Sequence, residues 1–253
     1  MAVQIHPMLC GVLETNAAGI MAKQPGRLRL PIPSYLIVHP KGTAVFDTGL
    51  HRELQQKSDR LGALSKVFEV FFRPGEELGG RLRAHGVDPA QVNYLINSHL
   101  HFDHVGGNVD LPNAKLVVQR LEWEAGGNPE LIRKNGYNRK DFDLGHQLQL
   151  IDGEHDLFGD GSVTCIPTYG HTAGHQSLRV RLDKSEVVLT ADSCYMRKAL
   201  EEMILPPFAH DYDAMREVIN RFRAMERGGA RLIFGHDAAQ WNEQKGALAQ
   251  PLA

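Results

Sequence analysis

The sequence predicts an α/β (α+β) fold, and three observations carry that reading. Short apolar segments of strand character end at four places, each followed within a few residues by histidine or aspartate. A helix of clear amphipathic spacing lies between the last two of them. The 253 residues hold 42% hydrophobic and 23% charged side chains, with no internal repeat and no Pro/Gly/Ser-rich linker, which suits a single domain, residues 1–253, with a sizeable core.

Taken in order, Pro31 and Pro33 precede the alternating run Tyr35 to Val38, the turn Pro40-Lys41-Gly42 and the run Thr43 to Phe46. That is the pattern of a β-hairpin, with Asp47-Thr48-Gly49 just beyond its second strand. Residues 51–73 are mixed, hold Val67, Phe68, Val70, Phe71 and Phe72, and suit a helix or a flap over a pocket. Glu76 to Ala84 reads as a helix, with Leu78 and Leu82 four apart and Gly86 placed to stop it. Tyr94-Leu95-Ile96 is a short strand that delivers the chain to His99. Ser162 to Ile166 leads likewise to Gly170-His171, Glu186 to Thr190 to Asp192, and Arg231 to Phe234 to Gly235-His236. The helix before that last strand is opened by Asp211 or Asp213, carries Met215, Val218, Ile219, Phe222 and Met225, and ends at Gly228-Gly229. If the four strand ends converge, their ligating side chains face one cleft at the edge of a sheet.

A formal net charge of −2 lacks the basic excess that neutralises phosphates, which argues against a nucleic-acid partner. Cys10, Cys165 and Cys194 are odd in number and widely spaced, forming neither a disulfide framework nor a CxxC zinc site, and they point to a reducing compartment. The first residues, MAVQIHPMLCGVLE, lack the form of a signal sequence, and no run of about 18 apolar residues occurs. The expectation is a cytoplasmic protein with no membrane span.

Residues 97–107, NSHLHFDHVGG, crowd His99, His101, Asp103 and His104 into six positions before Gly106 and Gly107. Neutral imidazole and carboxylate bind zinc and similar divalent ions, and catalytic sites keep one coordination position for water. In an extended stretch His99 and His101 fall on one side of the backbone and can share an ion. Asp103 lies on that side too if the chain stays extended, whereas a turn over Phe102 to Val105 redirects it with His104 toward a second ion. The two glycines permit such a turn without steric cost. An isolated histidine is usually a surface or hydrogen-bonded core residue; four ligating side chains this close together read as a metal motif.

SHLHFDHVGGN resembles the HxHxDH signature of the metallo-β-lactamase superfamily. The chain carries that superfamily's other ligands in order: His171 in YGHTAGHQS, Asp192 in LTADSCY and His236 in IFGHD, while Asp47-Thr48-Gly49 matches its first motif. Within the superfamily the sequence is most similar to the N-acyl homoserine lactonases, through SHLHFDH, GHQSL, FGHD and Tyr195 three residues after Asp192. The resemblance runs from about residue 30 to 240. It implies an αββα sandwich, two mixed β-sheets flanked by helices. It also implies two divalent metal ions, Zn2+ first, with iron, manganese and cobalt as alternatives. His99, His101 and His171 would hold one ion and Asp103, His104 and His236 the other, with Asp192 bridging. The implied activity is opening of an N-acyl-L-homoserine lactone by a hydroxide shared between the ions, with Tyr195 donating to the developing oxyanion and Asp103 carrying the proton. Tyr169 departs from the proline common in these enzymes and should alter the turn rather than the ligand.

Other readings use the same residues. A lactonase for another ring, such as 4-pyridoxolactone, fits every ligand equally well. A glyoxalase II-type thioester hydrolase shares all seven ligands but usually adds a basic helical C-terminal segment, whereas this sequence ends 17 residues after His236. β-Lactam hydrolases differ at the bridging position and lack the Asp192 and Tyr195 pair. A non-catalytic metal-binding scaffold would be expected to have lost ligands, and none is lost. Asp47 is either a turn residue or the carboxylate partner of a metal-bound histidine, and His175 is a second candidate for such a supporting place. Cys194 reads as a small buried residue outside the site. Phe102, Phe68, Phe71 and Phe72 line an acyl pocket or pack in the core. His6, His39, His51, His85, His146, His155 and His210 lack partner spacing and read as surface or structural. The expected partner is a small-molecule lactone, and the N-terminal segment and residues 51–73 are candidate contacts of a homodimer.

Overall fold

The computed structural model describes residues 2–244 and Leu252. Its first sheet is built from β1 (Gln4–Asn16), β2 (Arg27–His39), β3 (Gly42–Phe46), β4 (Glu69–Phe71), β5 (Tyr94–Ile96), β6 (Lys115–Gln119) and β7 (Leu148–Ile151), in the order β4-β1-β2-β3-β5-β6-β7. The β4/β1, β1/β2 and β2/β3 pairs are antiparallel, while the β3/β5, β5/β6 and β6/β7 pairs are parallel. The second sheet holds β8 (His155–Asp156), β9 (Val163–Pro167), β10 (Gln176–Arg181), β11 (Glu186–Leu189) and β12 (Arg231–Ile233), antiparallel except for the β11/β12 pair, in the order β12-β11-β10-β9-β8.

Alternation along each strand sorts its side chains between two layers. Tyr35, Ile37, Phe46, Ile96 and Val117 of the first sheet meet Cys165, Leu178, Val187, Leu189 and Ile233 of the second in a buried interior. Their sequence neighbours Leu36, Val45, Leu95, Leu116 and Val118 face the other way and pack on Leu78 and Leu82 of α1 (Leu78–Ala84). The short helices α2 (Phe102–Val105), α3 (Arg120–Gly127), α4 (Pro129–Asn135) and α5 (Arg139–Phe142) lie between strands of that first sheet in the chain. The second sheet is followed by α6 (Arg197–Glu202), α7 (Tyr212–Arg227) and α8 (Ala238–Gln244). Ile166, Val188 and Leu232 on its outer face bury Val218, Ile219 and Phe222 of α7. The layers are therefore helix, sheet, sheet, helix, as the motifs implied. Asp211, rather than Asp213, caps α7, its carboxylate accepting from the backbone N–H of Asp213 and Ala214 at 2.9 and 3.0 Å.

The first sheet differs from expectation at its first two strands. The first sheet contains a long strand, β1, that the hairpin reading omitted. The chain also enters β2 at Arg27, so Pro31 and Pro33 lie inside the strand. Both prolines face β1 beside a bulge between Leu9 and Val12, where Gly11 takes φ +107°, and β3 pairs only with residues 35–39. A missing N–H is tolerated at such a place. Residues 51–73 form two 3-10 segments, Arg52–Gln55 and Ser58–Lys66, the second broken at Gly62, and then the edge strand β4.

Candidate metal centre

Five strands deliver chemistry to one place. β3 ends at Phe46 before Asp47, β5 at Ile96 before His99, β9 at Pro167 before His171, β11 at Leu189 before Asp192 and β12 at Ile233 before His236. Phe102–Val105 form a single helical turn, which separates Asp103 and His104 from His99 and His101. The glycines that follow work differently from the expected backbone freedom: Gly106 has φ −60° and Gly107 φ −92°, ordinary for any residue. A Cβ at Gly106 would stand 2.2 Å from the backbone nitrogen of His51, and one at Gly107 2.4 Å from the Thr48 carbonyl oxygen. Glycine is required there because the strand-end loop 48–51 lies directly on the motif.

The seven predicted ligands meet as two groups. Nε2 of His99 and Nε2 of His171 approach Nδ1 of His101 at 2.8 and 3.1 Å. Asp192 Oδ2 lies 3.8 Å from His99 Nε2 and 3.5 Å from His171 Nε2, while its Oδ1 faces His104 Nε2 at 3.2 Å and His236 Nε2 at 2.9 Å. Asp103 Oδ2 completes the second group, 3.7 Å from both His104 Nε2 and His236 Nε2. One carboxylate oxygen thus points into each group. Close as these contacts are, they lack hydrogen-bond geometry, and His104 Nε2 and Asp192 Oδ1 are buried without a hydrogen-bond partner, a cost that a cation seated between such lone pairs would remove. The donor set, five imidazoles and two carboxylates, suits a divalent ion in each group.

Burial holds His99, His101 and His171 below the usual imidazole range, which keeps them in the neutral, ligating form. At His104 and His236 burial is outweighed by Asp192 and Asp103, so both are raised, and the same two histidines hold Asp192 well below the usual carboxylate range against its burial. The outward nitrogens are anchored. His104 Nδ1 donates to Asp47 Oδ2 at 2.8 Å and His236 Nδ1 to the Pro31 carbonyl at 2.9 Å. His99 Nδ1 is 2.9 Å from Ser98 Oγ, which donates to Asp47 Oδ2 at 2.7 Å. Asp47 is therefore a supporting carboxylate and more than a turn residue.

Tyr195 lies beside the cluster, its hydroxyl 3.5 Å from His171 Nδ1 and its ring centroid 5.7 Å from that of His236. Burial, then Asp192 and Asp103, push its phenol well above the ordinary value, so it is a hydrogen-bond donor. His175 is fully buried with its ring 5.0 Å from His99 and Nδ1 bonded to Thr168 Oγ1, behind the ligands rather than among them. Cys194 packs in the core. Tyr169, next to His171 in the chain, donates to Gln119 Oε1 at 3.0 Å.

A cavity of about 760 Å³ opens on the cluster, with His101, Asp103, His171, Asp192, Tyr195 and His236 at its polar end. Its apolar walls include Ile20, Leu30, Leu64, Phe68, Phe102 and Phe208. Of the four phenylalanines in question, Phe102 and Phe68 line it, with ring centroids 5.7 Å apart. Phe71 is exposed beneath the Arg29 guanidinium and Phe72 is core. Sequence reasoning missed Ser98, which joins its neighbour His99 to the distant Asp47, and Glu122, whose partners all lie far away in the chain. Ser98 borders the motif and was within reach of inspection; Glu122, in QRLEWEAGG, has no local signal.

Residues 27–236 match the model of the metallo-beta-lactamase superfamily. The N-acyl homoserine lactonase AttM of Azorhizobium caulinodans is 38% identical over 257 aligned positions, 97% of each chain. The AttM of Rhizobium johnstonii is 36% identical, again over 97% of each. A solved structure of an N-acyl homoserine lactone hydrolase, with N-hexanoyl-L-homoserine bound at its catalytic metal center, superposes with a TM-score of 0.85 at 26% identity, covering 96% of this chain and 97% of that one. The match to the superfamily model runs from within β2 to His236, the relatives that cover nearly the whole chain at 36–38% identity are N-acyl homoserine lactonases, and the chain belongs to the metallo-beta-lactamase superfamily.

Proposed function

We propose that this metal-dependent hydrolase opens the ring of N-acyl-L-homoserine lactones, using all 253 residues as one domain. The observation that carries the reading is the join between the two-group cluster and the apolar cavity: a polar head with a reactive carbonyl fits one end and an acyl tail the other. The named activity of the AttM relatives supports it.

In this reading His99, His101 and His171 would hold one ion and Asp103, His104 and His236 a second, with one Asp192 oxygen turned toward each group, and Zn2+ is the metal proposed. Divalent ions at these two groups would supply Lewis acidity and would lower the pKa of water toward neutrality. The Tyr195 hydroxyl donates a hydrogen bond to the lactone carbonyl oxygen, strengthening as negative charge builds there. Asp103, on the cavity wall, takes the proton released by the attacking water and returns it to the ring oxygen as the C–O bond breaks. The product is a hydroxyl and a carboxylate, so each turnover releases one proton. A cytoplasmic location belongs to the same proposal, since all three cysteines are buried and unpaired; among the described residues no helix is long and apolar enough to cross a membrane.

The test is pH-stat hydrolysis of homoserine lactones with short and long acyl chains beside 4-pyridoxolactone, a β-lactam and a glutathione thioester. The homoserine lactones should give the highest kcat/KM. If they are the poorest substrates of the panel, the assignment is wrong.

A further inference from the structure

Glu122 is a fully buried carboxylate in the first turn of α3. A carboxylate offers about four acceptor positions, and here four donors from three separate segments use them. Oε1 accepts from the Leu100 N–H at 3.1 Å and the Tyr137 hydroxyl at 2.6 Å; Oε2 accepts from Thr172 Oγ1 at 2.7 Å and the Gly174 N–H at 2.9 Å. Leu100 lies between His99 and His101. Thr172 and Gly174 follow His171. Tyr137 sets its ring 5.4 Å from that of His101. The loop after His171 rests so closely on α3 that a Cβ at Gly174 would stand 2.2 Å from the Glu122 backbone nitrogen.

We infer that Glu122 is the positioning residue that locks the His99–His101 turn, from the first sheet, to the His171 loop, from the second, and so sets the geometry of one of the two metal groups. A buried carboxylate is costly unless hydrogen-bonded, and burial indeed raises this one above its usual range. An apolar side chain would fill the space without that cost, but it could not bind four donors. The second group has other supports, Asp47 for His104 and the Pro31 carbonyl for His236, so the effect is confined to the first.

The inference rests on the ligand assignment proposed above, and the experiment separates the two. Metal-free protein is titrated with Zn2+ against a chromophoric chelator, giving two stepwise affinities, with His171→Ala identifying the step that belongs to the first group. An amide offers one acceptor oxygen and two donors, so Glu122→Gln sets N–H against at least two of the four donors. It should weaken that step about 10- to 100-fold and change the other by less than about threefold, the range for partners behind the ligands. Tyr137→Phe, which keeps the ring and removes one donor, should weaken the same step by a smaller factor and guards against misfolding of the first variant. Wild-type protein that takes up no metal overturns the ligand assignment and this inference with it. Two ions in the wild type and unchanged steps in both variants, whatever their melting temperatures, overturn the inference alone.

Discussion

The Asp47 carboxylate stands 2.8 Å from Nδ1 of His104, and through Ser98 Oγ it also supports His99, so a single side chain orients one histidine of each group. Asp47 holds this place with φ +54°, a left-handed conformation that aspartate and asparagine tolerate better than most residues. Asp47→Asn should therefore keep the turn and lose the anion. The expected result is a loss of about 10- to 100-fold in metal affinity or kcat/KM with little change in melting temperature. Asp47→Ala adds backbone strain of about 1–2 kcal/mol and should also melt earlier. Chelator competition and thermal denaturation read the two effects separately. Wild-type metal affinity in the asparagine variant would show that the carboxylate orients nothing.

Tyr195 touches the cluster through its hydroxyl and is not one of the proposed ligands. Tyr195→Phe should keep the metal content of the wild type and lose about 10- to 1000-fold in kcat, the scale for one oxyanion donor, with KM nearly unchanged. Metal analysis alongside steady-state kinetics checks both halves. Full turnover in the variant would remove the tyrosine from the mechanism.

All seven cluster positions were legible before any fold was known, because ligating side chains are dense in NSHLHFDHVGG and the rest stand just after short apolar runs. That order reflects physics: rigid strand ends hold ligands well, so the period-two pattern and the chemistry adjoin in sequence. Glu122 was illegible for the opposite reason. Its partners are 15 to 52 residues away, and a lone glutamate in a helical stretch usually faces water. Asp47 stood between, since its turn was evident but its bond to His104 spans 57 residues. Of the fold, α7 was plain from its apolar spacing, whereas β1 was hidden by Pro7, Gly11 and a bulge that breaks its alternation.

Phe68 packs on Phe102 in the cavity wall, directly before β4 in the chain. It is an apolar wall residue outside both ligand groups, so its truncation should alter binding of the tail and spare the chemistry. Phe68→Ala removes contact worth about 1–2 kcal/mol to a long acyl chain, a rise in KM of roughly 5- to 30-fold, with kcat held and short-chain lactones little affected. Comparing KM over a series of acyl lengths for wild type and variant decides it. An equal rise at every length would move the tail-binding wall elsewhere.

Gly106 offers the sharpest separation between backbone freedom and backbone proximity. Its φ of −60° is helical, so by conformation alone alanine should be welcome and even stabilising by about 0.5–1 kcal/mol. Its surroundings say otherwise. An added Cβ would meet the His51 nitrogen at 2.2 Å, the Leu50 carbonyl carbon at 2.6 Å and the Gly49 oxygen at 2.8 Å, all backbone atoms that no side-chain rotation can move. The same contact carries hydrogen bonds, Gly106 N–H to the Gly49 carbonyl at 3.0 Å and Thr48 N–H to the His104 carbonyl at 2.8 Å. Relief requires α2 and the 48–51 loop to part, which drags Asp103 and His104 from Asp192 and Asp47 from His104. Gly106→Ala should thus lose about 1–3 kcal/mol of stability, the usual cost of overpacking, and bind less metal at the Asp103, His104 and His236 group. Gly62→Ala serves as the contrasting control: its φ of +56° is strained for alanine, yet nothing lies within 4 Å of the new Cβ, so only stability should fall. A Gly106→Ala protein that melts at or above the wild-type temperature with full metal content would show that the loop yields to the methyl group.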